Sequence, residues 1–229
     1  MKKDETWCYI FADGENARWP DGERKELVDI GGEPCVMRIV RQARRYTNVV
    51  KCISHDRNIQ DLFPADGYNK GFYAIEPPRS EWKTEVLLTI YPDQPRDIVL
   101  LLGDTIYSKA AMDAIFEPHN TMRFFGNYSD ILGVSIAAKY HLEFKDILQV
   151  VVLHALKNSG RTDVGHLWNC YRVSIGKPPL PHFDPPRNCR VFNYIDDWTR
   201  DIDTIHQYGE FCRDVIGTGK LDDRGEETE

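Results

Sequence analysis

No stretch of this 229-residue chain approaches the roughly 20 consecutive apolar residues that a membrane-spanning helix needs, so no membrane partner is expected. The six cysteines, Cys8, Cys35, Cys52, Cys170, Cys189 and Cys212, are scattered without a Cys-x-x-Cys pair, which removes zinc knuckles and dithiol redox motifs. The seven histidines include no His-x-x-x-His spacing, so the usual helical metal pair is missing as well. Positive charge is in deficit: the formal balance is −7, and bulk attraction to nucleic acid is not indicated. The opening Met1-Lys2-Lys3-Asp4-Glu5 is too charged, and the apolar run behind it too short, for a secretory signal. Cys8 and Cys52 fall in apolar runs where a reduced thiol acts as a small core residue. A cytoplasmic address is expected. No internal repeat or linker composition is visible. One domain over residues 1–216 is expected, followed by a disordered polar tail, 217–229, with five carboxylates after Leu221.

What is present suits a sizeable core: 41% of residues are hydrophobic and 28% charged. Trp7 to Ala12 is continuously apolar, as in a strand covered on both faces. After a turn-rich stretch, Pro34 stands where a helix can begin. Val36, Ile39, Val40, Ala43 and Tyr46 then share one helical face. Arg38, Arg41, Arg44 and Arg45 read as its solvated side. Asn48 ends that helix and Val49–Ile53 is the next strand, so strand, helix, strand form a βαβ unit with a parallel sheet. A helix is expected over 81–90, the central strand over Ile98–Leu102, and a helix from a Ser108 cap to about Phe116. Met122–Gly126 and Ile131–Ala137 form a hairpin-like pair, which makes the sheet mixed beyond its middle. Helices follow over 144–157 and 204–216, with a short strand over 190–194 between them. The stretch 176–188 holds five of the thirteen prolines and reads as an extended loop carrying His182 and Phe183. The expected class is therefore α/β: a Rossmann-like three-layer α/β/α sandwich around a mostly parallel, mixed central sheet.

Such a sheet binds ligands at the carboxyl ends of its strands. Two loops leave it there. After the first strand come Ala12, Asp13 and Gly14, whose backbone N–H groups can face phosphate because glycine presents no side chain. Arg18, as a fork, and Lys25, as a point charge, can neutralise phosphate oxygens. After the central strand come Gly103 and Asp104. A carboxylate behind five apolar residues is costly unless hydrated, paired or metal-bound, and magnesium favours one or two carboxylates plus substrate phosphates. A partner carboxylate is sought in the densest acidic cluster, Asp196, Asp197, Asp201 and Asp203. Asp203 reads equally as a metal ligand or as the N-cap of the last helix.

The segments Ala12-Asp13-Gly14-Glu15-Asn16-Ala17-Arg18, Arg24-Lys25-Glu26-Leu27 and Gly31-Gly32-Glu33-Pro34, then Leu102-Gly103-Asp104 and Ile202-Asp203-Thr204, occur in a meaningful order. Together they resemble the motifs of the nucleotidyltransferase superfamily with a glycosyltransferase-A type fold. The molybdenum cofactor guanylyltransferase-like and sugar-phosphate nucleotidyltransferases are the nearest by pattern. The resemblance spans nearly the whole chain. It implies Mg2+ or Mn2+ on Asp104 and Asp203, catalytic roles for Lys25, Arg18 and Asp104, and nucleotide contacts from Ala12, Asp13, Gly14, Arg18, Lys25, Arg79 and Gly103. Thr84 and Glu85 are further candidates near the base. The pattern is broken at two points: Asp13 replaces a small residue and Asn16 a glycine. An aspartate there repels triphosphate unless metal or arginine intervenes.

Three functions compete on this reading. In nucleotidyl transfer, a nucleoside triphosphate passes its nucleotide to a small phosphorylated acceptor, a sugar phosphate by resemblance. In glycosyl transfer, a nucleotide sugar is the donor. Asp104-Thr105-Ile106 lacks the usual Asp-x-Asp pair for that chemistry, and Asp201-Ile202-Asp203 has the spacing at another place in the fold. In the third, the fold binds nucleotide without turnover. Trp168 and Tyr171 flank a candidate acceptor segment, with core packing as the favoured reading.

Overall fold

The computed structural model of the protein describes residues 3–13, 19, 23–77, 83–158, 164–179 and 191–221. Its strands are β1 (Thr6–Phe11), β2 (Val49–Ile53), β3 (Phe72–Ile75), β4 (Asp97–Leu102), β5 (Thr105–Ile106), β6 (Met122–Gly126), β7 (Ile131–Ile136), β8 (Phe192–Tyr194) and β9 (Arg200–Asp201). The helices are α1 (Cys35–Ala43), α2 (Arg57–Gln60), α3 (Lys83–Ile90), α4 (Lys109–Phe116), α5 (His141–Asn158), α6 (Val164–Ser174) and α7 (Ile205–Phe211). Seven strands form the main sheet in the order β3-β2-β1-β4-β7-β6-β8, and β5 pairs with β9 in a two-stranded ribbon. Strands β3, β2, β1 and β4 run parallel. β7 is antiparallel to both β4 and β6, which makes the sheet mixed where the hairpin signal in the sequence predicts it.

Successive strand residues point to opposite faces, and the core divides accordingly. Cys8 and Ile10 of β1, with Val99 and Leu101 of β4, pack beneath α1, α4 and α7. Tyr9 and Phe11, with Ile98 and Leu100, pack beneath α3, α5 and α6. This double coverage explains why β1 and β4 are apolar at nearly every position rather than at alternate ones. The central place of β4 matches its status as the most hydrophobic strand. Among the described residues, no helix is long and apolar enough to cross a membrane.

Several local expectations need correction. Arg38 is not on a solvated face: it is 2% exposed, its Nη1 donates to the Tyr107 carbonyl at 2.9 Å, and its guanidinium lies over Trp198. Arg44 and Arg45 are exposed as expected. Helical periodicity cannot distinguish an arginine that reaches across to a carbonyl of another element from one that meets water. The first helix stops at Ala43, before Asn48, and the last splits into α7 and a π-turn over Cys212–Ile216. Trp168 and Tyr171, by contrast, lie in the core against Phe124, as the favoured reading expects. Leu221, within the stretch expected to be tail, is buried against the α1 side of the sheet. The expected loop residues His182 and Phe183, the tail beyond Leu221 and Cys189 lie outside the described residues.

One glycine sets the spacing of the two site-bearing strands. A Cβ on Gly103 would stand 2.8 Å from both the Ala12 Cβ and the Phe11 carbonyl oxygen, while its N–H donates to that carbonyl at 2.7 Å. Gly103→Ala is therefore expected to push β1 from the end of β4. The cost should be about 1–3 kcal/mol, lowering Tm by roughly 2–10 °C. Thermal denaturation checks this, and an unchanged Tm would contradict the close approach.

Candidate active site

The sheet's carboxyl edge carries the candidate residues on four separate pieces of chain. β4 ends at Leu102, and Gly103 and Asp104 follow directly into β5. The β5–β9 ribbon places Thr105 opposite Asp201, and the Ile202 N–H donates to the Asp104 carbonyl at 3.0 Å. Ile202 is fully buried, so it pins the ribbon and leaves the flanking Asp201 and Asp203 carboxylates free to turn toward Asp104. The last helix takes its cap from Thr204, whose hydroxyl accepts the Gln207 N–H at 3.2 Å. The cap reading of Asp203 is thereby excluded. Asp197 binds elsewhere: one oxygen accepts from Ser108 Oγ and the other accepts the Thr199 N–H at 2.7 Å, at the start of α4.

Asp104, Asp201 and Asp203 each offer an oxygen, and the three oxygens lie within 4.8 Å of one another. Lys25 reaches this group from a 3-10 turn, Lys25–Leu27. Its Nζ touches Asp104 Oδ2 and donates to Asp203 Oδ1 at 2.9 Å. Burial by itself lowers the lysine's pKa, but Asp104, Asp201 and Asp203 together more than offset this and the net shift is upward. Lys25 is thus a buried, permanently charged ammonium. Asp201 is in the opposite situation: burial, then repulsion from Asp104, raise its pKa to about 8. Its Oδ1 is buried and accepts no hydrogen bond. Like charges at about 4 Å repel by roughly 4 kcal/mol at an effective dielectric of about 20. Lys25 contacts Asp104 and Asp203, and the Asp201 carboxyl beside them avoids a further negative charge by holding its proton to higher pH. Clustered carboxylate oxygens with one unsatisfied lone-pair site are the donor set that a hard divalent cation takes, so the residues fit Mg2+ or Mn2+.

The β1 side of the edge is built differently. Ala12 is buried, its N–H bonded to the Ile53 carbonyl at 2.9 Å. Asp13 Oδ1 accepts the His55 N–H at 3.1 Å, and Oδ2 pairs with His55 Nδ1. Arg24 Nη2 stands 4.0 Å from Asp13, while its Nε donates to Asp56 Oδ2 at 2.6 Å. Asp13 is thereby turned toward the end of β2 and engaged by two groups able to carry positive charge. Arg24, His55 and Asp56 were not among the sequence candidates. Ser54-His55-Asp56 directly after β2, at the same ligand-binding edge, is the signal that points to them. Gly14, Arg18 and Arg79 lie outside the described residues. Thr84 and Glu85 fall in α3.

No protein-family model matches the chain, and no curated protein matches it by sequence. Solved structures do. The CTP:phosphocholine cytidylyltransferase of Streptococcus pneumoniae aligns over 90% of this chain and 97% of its own, at 13% identity and a TM-score of 0.60. The UDP-glucose pyrophosphorylase of Acinetobacter baumanii aligns over 94% and 93%, at 10% identity and 0.60. The inositol-1-phosphate CTP transferase of T. maritima aligns over 89% and 91%, at 12% identity and 0.56. The chain has the Rossmann-like α/β fold of these nucleotidyltransferases.

The Asp201 carboxyl ties stability to pH. Its ordinary pKa is 3.8 and its folded value about 8. Below the ordinary value both folded and unfolded chains hold the proton. Above it only the unfolded chain releases it, so stability falls with rising pH until the folded protein ionises too. Asp201→Asn removes that titration. In chelator it should raise Tm at about pH 7.5 by several degrees, on the order of 1–3 kcal/mol, and flatten the decline toward alkaline pH. An equal or lower Tm in the variant would show that Asp201 carries no such penalty.

Proposed function

We propose that the protein is a divalent-metal-dependent nucleotidyltransferase that moves a nucleoside monophosphate from a nucleoside triphosphate to a small phosphorylated acceptor. The observation that supports it most is the meeting of Asp104, Asp201 and Asp203 with Lys25 at the sheet's carboxyl edge, beside the loop leaving β1. A fold shared with nucleotidyltransferases adds weight to that placement. The enzymes of like fold named above act with phosphocholine, inositol 1-phosphate and UDP-glucose. A phosphate monoester, with a sugar phosphate foremost, is the acceptor class this suggests.

In this reading Asp104 and Asp203, with Asp201 beside them, hold Mg2+ or Mn2+, which supplies charge neutralisation on the reacting phosphates. An acceptor phosphate oxygen attacks the α-phosphorus, the bond to the bridging oxygen breaks, and pyrophosphate leaves with that electron pair. Lys25 and Arg18 offset charge on the leaving pyrophosphate. Ala12, Gly14 and Gly103 are the proposed backbone neighbours of the nucleotide. Asp13 and Arg79 contact the nucleoside, with Asp13 tied to His55 and Arg24 so that it presents less bare charge to the phosphates. No protein group needs to form a covalent bond, since positioning and charge stabilisation suffice for phosphoryl chemistry. Such a substrate pair suits a cytoplasmic enzyme.

Glycosyl transfer from a nucleotide sugar is the second reading, and one feature favours it. The β5–β9 ribbon brings Asp201-Ile202-Asp203, with its Asp-x-Asp spacing, to Asp104. Its distance in sequence from the central strand therefore no longer argues against that chemistry. Products separate the two. With Mg2+, nucleoside triphosphates and a panel of sugar phosphates, the first reading expects pyrophosphate and a nucleotide sugar. With nucleotide sugars alone as donors, it expects no glycosylated acceptor.

Asp104→Ala should lower turnover by about 10²–10³-fold or more while leaving the circular-dichroism spectrum native. Full metal-dependent activity in that variant would remove the assignment.

A further inference from the structure

The carboxylate cluster is closed by the chain's own lysine. Lys25 Nζ sits against Asp104 Oδ2 and 2.9 Å from Asp203 Oδ1, and both the lysine and Asp104 side chains are only 7% exposed. These are the carboxylates assigned to the cation, so the ammonium competes with a divalent ion for the same pair of side chains. A cation entering at such short range meets the full repulsion of a buried positive charge, poorly screened by solvent. The turn carrying the lysine is anchored: the Leu27 N–H donates to the Arg24 carbonyl at 2.9 Å, and Leu27 and Val28 pack against the α1-side core. Movement therefore falls to the flexible four-carbon side chain. Once it leaves, the ammonium needs another anion, since a buried unpaired charge is costly.

We infer that Lys25 is a displaceable counter-ion: its ammonium stands in for the divalent cation on Asp104 and Asp203 until a phosphate-bearing ligand draws it away. Two consequences follow for the chain's own residues. First, the carboxylates are kept clustered before any metal arrives, so the site is assembled in advance. Second, the phosphate ligand favours entry of the cation, because its oxygens attract the Lys25 ammonium away from Asp104 and Asp203. Metal alone should bind weakly. Lys25 thereby acts first as a positioning residue for the metal carboxylates and then as a contact to phosphate. The inference rests on the proposed metal reading, but its test separates the two.

The test is Mn2+ binding to the full chain without nucleotide, read from the electron paramagnetic resonance of free Mn2+. Lys25→Met should bind Mn2+ about tenfold or more tightly than the wild type, because the competing unit charge is gone. Lys25→Arg, which keeps the charge, should stay within about threefold of the wild type. Equal or weaker binding by Lys25→Met overturns the displacement while leaving the metal reading intact. No Mn2+ on either protein overturns both. Should Lys25→Met fail to fold, crystals of the wild type decide. Soaked with MnCl2 alone, they should keep Nζ between Asp104 and Asp203. Soaked with MnCl2 and inorganic pyrophosphate, they should show Mn2+ on Asp104 with Nζ on a phosphate oxygen. Mn2+ seated on Asp104 and Asp203 beside an unmoved Lys25 overturns the inference.

Discussion

Excess negative charge, confined to a space a few ångströms across, is the constraint on which the site depends. Asp104, Asp201 and Asp203 converge there, and among the described residues Lys25 pairs with two of them, Asp104 and Asp203. Such an arrangement is unfavourable in isolation. It persists because the β5–β9 ribbon, the buried Ile202 and the Thr204 cap hold the backbones where the carboxylates must meet. The raised pKa of Asp201 expresses the same strain in chemical form. Binding sites commonly store unfavourable electrostatics that a ligand relieves, and a divalent cation is the relief proposed for this one.

The surrounding fold serves this arrangement by being rigid. β1 and β4 are adjacent, parallel and covered on both faces. Their carboxyl ends therefore cannot move apart without opening two cores at once. Gly103 lets those ends approach as closely as the backbone allows. Ala12 and Gly103, at the ends of β1 and β4, therefore stand against each other. On the other flank of β1, Asp13 is held by His55 and Arg24 and gives the edge a second polarity. The acidic cluster lies toward β4 and the mixed-charge cluster toward β2.

The sequence signals fared differently for physical reasons. The strand ending in Gly103-Asp104 was legible because five apolar residues stopping on a carboxylate make a local, costly pattern. The central position of β4, the hairpin of β6 and β7 and the Ser108 cap were legible on similar local grounds. Asp13 was visible as a break in a motif, but its engagement with His55 and Arg24 joins three chain segments that no spacing connects. Arg38 looked solvated because its helix face is basic, yet the Tyr107 carbonyl it serves belongs to a distant element. The choice between Asp201 and Asp203 stayed open for the same reason. Both belong to the cluster, through a two-residue strand too short to announce itself by periodicity.

Sequence alone therefore set the α/β class, the apolar strands of the sheet and the presence of a carboxylate at the mouth of its central strand. Each of these is written in contiguous residues whose burial cost or periodicity is local. Tertiary structure decided which acids face Asp104, that Lys25 closes the cluster, and that Asp13 turns away toward β2. Those outcomes hinge on charges separated by as many as 178 positions along the chain, as between Lys25 and Asp203. Electrostatic attraction acts through space, and only the folded backbone determines which charges come within its range.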